Sequence, residues 1–180
     1  MHIHDTSTAR IAATLPTEEL RAEFLLSNLF QVGAANFHYW TTDRTIVGAI
    51  VPGLTALELP NPPEVRSTFF LERREAGVIN LGGPGTITVD GVVQTLASLD
   101  GLYLGRGTKS VSFASRTAEQ PARFYFLSYP AHAVYPVRHV ALQDATPARL
   151  GAVATANDRT IYKYFHPGAF PTCQLVMGFT

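Results

Sequence analysis

The sequence predicts a mainly β fold, a barrel or sandwich of short strands preceded by one helix. Three observations carry this. From Thr68 to Tyr129 short apolar or alternating segments follow one another: TFFLERRE, GVINL, TITVDG, VVQTL, GLYLG, KSVSFAS and ARFYFLSY. Turn residues separate them at Gly82-Gly83-Pro84-Gly85, Asp90-Gly91 and Gly105-Arg106-Gly107, the rhythm of an all-β domain. No long helical pattern interrupts the run, which argues against a parallel α/β sheet.

The elements follow in order. Pro16 and Thr17 suit a helix start, and Glu18 and Glu19 put negative charge in the first turn, where the helix dipole favours it. Ala22, Leu25, Leu26 and Leu29 repeat at helical spacing, so a helix is predicted over Thr17–Phe30, with its apolar stripe on a sheet or a second copy. Phe37–Thr42 and Arg44–Val51 read as strands, Leu54–Leu59 as a weaker one, and Pro60-Asn61-Pro62-Pro63 as a loop. Asp90-Gly91 joins Thr86–Val89 to Val92–Leu96 as a two-residue hairpin, since a type I′ turn needs positive φ at both central positions. Tyr129–Leu150 is an irregular connection with a strand near Arg138–Leu142. Gly151–Asp158 is a linker, and Thr160–Phe165 and Thr172–Thr180 are two further strands around His166-Pro167-Gly168.

Composition narrows the function classes. The 180 residues hold 14 basic and 14 acidic side chains, a balance that argues against nucleic acid as partner. A neutral chain can still carry a local basic pocket for a small anion. One cysteine, Cys173, allows no internal disulfide. No apolar run suits a signal peptide or a membrane span, so the expectation is a cytoplasmic protein with no membrane partner. Gly82–Gly85 precedes no helical pattern and is not expected to cradle phosphate.

The block Phe70–Phe113 contains FLERRE, GVIN-x-GG-x-GT-x-TVDG and LY-x-G-x-GTK; Ala131-His132, RTIYKYFHP (Arg159–Pro167) and CQLVMG (Cys173–Gly178) follow, and EFLLSNLF and RTIVGAIVP precede it. In these motifs the chain resembles the 5-keto-4-deoxyuronate isomerase family over nearly its whole length. The resemblance implies a cupin-type β-barrel (jelly-roll) with an N-terminal helix and the start of a second barrel. It implies a ketol isomerase of unsaturated-uronate (pectin) catabolism, interconverting 4-deoxy-L-threo-5-hexosulose uronate and 3-deoxy-D-glycero-2,5-hexodiulosonate. It further implies zinc in a second barrel, whose His-x-His, Glu and later His ligands follow the LVMG strand and so fall beyond Thr180. On this reading the chain is truncated before the metal site, is the non-catalytic half, and is inactive alone.

The residues can be tested for a metal directly. The cupin pattern, G-x5-H-x-H-x3–4-E-x6-G followed by a second motif with one more His, supplies three His and one Glu to a divalent ion. Glu75 and Gly82 fit it. The two histidine positions fall on Thr68 and Phe70, or on Phe69 and Leu71, and the last falls on Ser110 beside Lys109, after Gly105-Arg106-Gly107. None of these is a histidine, so no metal is expected in this barrel. Glu75 is expected to pair with Arg73, two residues away on one strand face.

The expected organisation is an N-terminal arm and helix over 1–36, a metal-free barrel over 37–156, and a linker with the first strands of a second barrel over 157–180. For substrate binding the sequence nominates Arg159, Lys163 and His166, because a uronate carboxylate suits an Arg fork and a Lys point charge; no catalytic residue is nominated. The Arg73-Arg74 pair is a lesser nominee. His2-x-His4 has metal-like spacing but sits at a terminus expected to fray, His38, His132 and His139 read as packing or hydrogen-bonding groups, and Cys173 reads as a small hydrophobe on an apolar strand. A homo-oligomer is expected from the Ala22–Leu29 stripe and the apolar last strand. The alternatives are a metal-free cupin module that binds a sugar acid or serves in assembly, and a cupin enzyme whose site is built from Lys and Arg.

Overall fold

The computed structural model describes residues 1–180. Three antiparallel-dominated sheets stack into two cores. In chain order the elements are β1 (His2–His4), α1 (Ala9–Ala12), α2 (Thr17–Phe24), β2 (Ala34–Trp40), β3 (Thr45–Val51), β4 (Leu57–Glu58), β5 (Arg74–Asn80), β6 (Gly85–Val89) and β7 (Val92–Leu96). Then come β8 (Gly101–Leu104), β9 (Val111–Ser115), β10 (Phe124–Pro130), β11 (Arg138–Val140), β12 (Thr146–Leu150), β13 (Arg159–Phe165) and β14 (Met177–Phe179).

The large sheet has the order β1-β2-β3-β10-β5-β8-β11, and it faces a smaller sheet β4-β9-β6-β7 across the main core. Phe37, Ile46, Ile50, Phe124 and Phe126 from one sheet meet Ile87, Leu96 and Phe113 from the other. Two sheets sharing one core, with strands crossing between them, are the jelly-roll arrangement of a cupin-type domain. Strand alternation produces it: Phe124, Phe126 and Ser128 of β10 point inward and are fully buried, while Tyr125, Leu127 and Tyr129 lie on the opposite face. The β6–β7 hairpin turns on Asp90 (φ 46°) and Gly91 (φ 86°), both in the left-handed region, as the type I′ geometry requires.

The outer face of the large sheet carries the second core. There Tyr164 and Phe165 of β13, Met177 of β14 and Leu175 of the segment before it lie over Ile79 and Tyr103, as the sheet β12-β13-β14 covers this face. A register shift between Lys163 and Phe165 lets consecutive residues, Tyr164 and Phe165, both turn inward, which strict alternation forbids. β5 is therefore covered on both faces and all seven of its residues are buried.

Several elements differ from the sequence reading. The helix ends at Phe24 and buries none of its residues, because Leu25 adopts an extended conformation (φ −102°, ψ 120°); Phe24 and Leu25 are exposed. The helix is tied instead by Glu23, whose carboxylate accepts from the Ser7 hydroxyl at 2.9 Å and from the Ser7 amide. The terminus carrying His2 and His4 does not fray: β1 pairs in parallel with β2, His2 opposite His38 and His4 opposite Trp40. Thr68–Arg73 forms turns and bends, so the strand begins only at Arg74. The last strand covers only Met177–Phe179, and Cys173 lies half-buried in the bend before it.

Candidate functional site

Glu75 does not pair with Arg73, which lies outside the strand. The inward-facing residues of β5 are Ala76 and Val78, which belong to the main core, while Gly77 and Ile79 meet the second core. Alternation thus points Glu75 out of the barrel and Arg74 into it. The buried Glu75 carboxylate accepts four hydrogen bonds. Oε1 receives the amides of Gln174 (2.6 Å) and Leu175 (2.8 Å), and Oε2 receives the Cys173 amide (2.9 Å) and the Tyr103 hydroxyl (2.7 Å). Burial, and then this bond to Glu75, raise the Tyr103 hydroxyl above the ordinary tyrosine range. A carboxylate saturated this way clamps the segment before β14 onto β5 and has no lone pair left for a metal. Thr68, Phe69, Phe70, Leu71 and Ser110, at the other ligand positions, offer none of the nitrogen, sulfur or carboxylate donors such an ion prefers. No group of three His, Cys, Asp or Glu side chains is placed to hold one. The residues of this barrel do not fit zinc.

The three nominated binding residues separate. Lys163 lines a polar cavity of about 270 Å³ between the barrel edge and the third sheet, with Arg138, His139, Asp144, Thr146 and Phe170. His166 sits at its margin, its Nε2 3.2 Å from the Thr146 hydroxyl and its Nδ1 2.9 Å from the Pro167 carbonyl. Arg159 is elsewhere: it begins β13, four residues or roughly 13 Å from Lys163 along the strand, is exposed, and is hydrogen-bonded to Asn157. Arg138 and His139 join the cavity because β11 pairs with β8, His139 opposite Leu102. Asp100 fixes this edge, accepting from the Ala97 amide at 2.9 Å and the Leu142 amide at 3.2 Å, with His139 Nε2 3.3 Å away. Burial, with Asp100 nearby, pushes Tyr164 up to about 12. The cavity thus brings Arg138, Lys163 and His139 together with the Asp144 carboxylate, Asp100 standing behind His139, an arrangement suited to a small anionic, hydroxyl-bearing molecule. In the sequence Arg138 carries no signal of its own and His139 reads only as a packing or hydrogen-bonding group, because both are distant from Lys163 in the chain; the strand at Arg138–Leu142, once paired, is the signal that brings them there.

Arg74 was a lesser nominee and proves to be the one buried guanidinium, 7% exposed. Its Nε donates to the Ser128 hydroxyl at 3.1 Å, and its Nη2 to the carbonyls of Arg44 (2.7 Å) and Ser128 (2.8 Å). Burial pulls it down to about 10, so it stays cationic at neutral pH. At the same end of β2, on the strand face opposite Tyr39, His4 Nε2 lies 2.8 Å from His38 Nδ1, and His4 stacks on Trp40 with ring centroids 4.3 Å apart.

Comparison with known proteins places this geometry. A 4-deoxy-L-threo-5-hexosulose-uronate ketol-isomerase from Caldicellulosiruptor bescii is 45% identical over 166 residues, covering 92% of this chain and 60% of the relative. One from Yersinia enterocolitica is 46% identical, covering 94% and 62%, and one from Paraburkholderia phytofirmans is 41% identical, covering 100% and 66%. The chain therefore spans about three-fifths of the length of the curated relatives it matches. Among solved structures, an IolB-like protein from Salmonella typhimurium LT2 superposes with a TM-score of 0.51 at 16% identity, covering 66% of this chain and 43% of that one; the likeness is one of fold. The model of the KduI/IolB family matches residues 25–180, and the chain belongs to that family.

Proposed function

We propose that the chain is part of a 4-deoxy-L-threo-5-hexosulose-uronate ketol-isomerase, contributing a metal-free jelly-roll and a docked third sheet. The observation that carries this reading is the identity of 41–46% over nearly the whole chain to relatives of that name. The substrate class is a keto-deoxyuronate, and the reaction is the one its resemblance implies, interconversion with 3-deoxy-D-glycero-2,5-hexodiulosonate in pectin breakdown. The cavity of Arg138, His139 and Lys163 fits a carboxylate flanked by hydroxyls, and in this reading those residues hold or orient the sugar acid. The zinc implied by the resemblance has no seat among these residues, since Glu75 is saturated by donors. The same reading includes a homo-oligomer working in the cytoplasm, with the exposed Phe24 and Leu25 as surfaces that favour cover.

The test is a chimera in which this chain replaces the matching three-fifths of the Caldicellulosiruptor bescii relative. The folded chimera is expected to isomerise the uronate, and Lys163→Ala in it to raise KM about tenfold with a smaller change in kcat. The 180-residue chain alone is expected to show no turnover. A folded but inactive chimera, or turnover by the chain alone, refutes the assignment.

A further inference from the structure

The inward side of β5 leaves a cation without a counter-ion. Tyr39, Arg44, Glu64, Ser67, Arg73 and Arg74 surround a cavity of about 200 Å³ at one end of the barrel. The Arg74 guanidinium is buried at its floor, and all its protein partners are neutral: one hydroxyl and two carbonyls. No carboxylate lies within ion-pair distance of it; Glu64 meets the amino group of Met1 through Oε1 at 3.6 Å, and its Oε2 is buried without a partner. Nη1 makes no hydrogen bond within the protein, and Arg74 is among the residues that line the cavity. Burying an unpaired charge costs several kcal/mol, and the neighbouring inward positions of β5, Ala76 and Val78, show what a barrel interior places there when only packing matters.

The rim repeats the sign. Arg44 stands in the β2–β3 turn with φ 58°, a left-handed conformation uncommon for a side chain of its size, and its carbonyl is the one held by Arg74. Arg73 reaches the Arg66 carbonyl across the opposite rim. Three guanidiniums against one carboxylate leave the cavity cationic, while the Tyr39 hydroxyl, without a protein hydrogen bond, and the Ser67 hydroxyl, which donates to Asn61 Oδ1 at 3.3 Å and can still accept, supply polar groups beside them. Barrel mouths are a preferred location for small ligands, and a guanidinium fork matches a carboxylate in two parallel hydrogen bonds.

We propose that this barrel mouth is a binding site for a small hydroxycarboxylate, with Arg74 holding the carboxylate, Arg44 and Arg73 drawing it in, and Tyr39 and Ser67 meeting its hydroxyls. The site is distinct from the Lys163 cavity on the other side of the large sheet and does not depend on isomerase activity. A carboxylate is favoured over a phosphate because Glu64 on the wall opposes a second negative charge.

The experiment is calorimetric titration and thermal denaturation of the 180-residue chain at fixed ionic strength, with D-galacturonate, D-galactose and inorganic phosphate as separate probes. D-galacturonate is expected to bind saturably and raise Tm, with D-galactose inert and phosphate weaker. Arg74→Met relieves the burial of an unpaired charge but removes the donor to the Arg44 and Ser128 carbonyls, so it is expected to stay folded with a lowered Tm and to lose binding by roughly tenfold or more. Arg44→Ala, at the exposed rim, provides a second variant with the fold untouched and is expected to weaken binding about threefold to tenfold. Equal response to galacturonate and galactose, tighter binding of phosphate than galacturonate, or undiminished galacturonate binding by folded Arg74→Met and Arg44→Ala would each overturn the proposal.

Discussion

Replacing Glu75 with glutamine changes one oxygen to an NH2 group and leaves the shape alone. The carboxylate accepts from two pairs of donors, the Gln174 and Leu175 amides on Oε1, and the Cys173 amide and Tyr103 hydroxyl on Oε2. The glutamine oxygen can serve one pair. If it keeps Gln174 and Leu175, the NH2 faces Tyr103, whose hydroxyl can rotate to accept, and the Cys173 N–H, which cannot. One stranded N–H costs about 1–3 kcal/mol, and the two retained bonds lose their charge assistance at up to about 1 kcal/mol each. The smaller desolvation of a neutral amide offsets part of this. The net expectation for Glu75→Gln is a loss of about 2–4 kcal/mol, within the 5–15 kcal/mol of a typical domain, so the chain stays folded. Urea unfolding measures the loss, and amide exchange locates it at Cys173–Leu175. Tyr103→Phe removes a single donor and is expected to cost about 1–2 kcal/mol. The double variant should cost less than the sum, since both act on Oε2. A loss under about 1 kcal/mol with those three amides still protected would refute the idea that Glu75 fastens the third sheet.

At Gly105 an added Cβ would stand 1.9 Å from the Tyr135 carbonyl oxygen, which is backbone, whereas at Gly77 it meets only the ends of Met177 (2.7 Å) and Leu175 (2.8 Å). Gly105→Ala should therefore cost about 2–3 kcal/mol and Gly77→Ala less than about 1.5, and thermal melts giving the reverse order would contradict the packing described. His4 and His38 are both held below the ordinary 6.5, first by burial and then by neighbouring positive charge. The unfolded chain then binds the extra protons, so destabilisation sets in as pH falls through about 6.5 and is complete below the folded-state values. NMR titration should place both imidazoles below 6.5, with the β1 amides exchanging faster at pH 5.5 than at 7.5 after correction for intrinsic rates; values at or above 6.5 would remove the basis for this.

What could be read from the sequence was local. The β6–β7 hairpin is written in Asp90-Gly91, and β10 declares its phase through Phe124 and Phe126 against Tyr125 and Leu127. The phase of β5 was hidden. With both faces covered, Arg74–Asn80 has no polar side to alternate against, so whether Arg74 or Glu75 faces the barrel is invisible until the third sheet is in place. The same loss of contrast made Thr68–Arg73 look like strand. Long-range pairing hid the rest: β1 meets β2 across more than thirty residues, and Arg138 reaches the Lys163 cavity only because β11 closes the edge of the large sheet. The helix was overextended because Leu25, Leu26 and Leu29 continue a helical period that the backbone abandons at Leu25.

The clamp at Glu75 also sets an order of events during synthesis. Its three amide donors lie about 100 residues downstream of the carboxylate, while Tyr103 lies only 28 away. When β5, β8 and β10 have left the ribosome and can pair, Cys173–Leu175 has not yet been made available. A barrel that closes at that stage does so with the Glu75 carboxylate short of its three amide donors and an apolar face, Ile79 and Tyr103, turned to water. That nascent surface is where a chaperone would have reason to bind, and the arrival of Leu175 and Met177 is the event that would displace it.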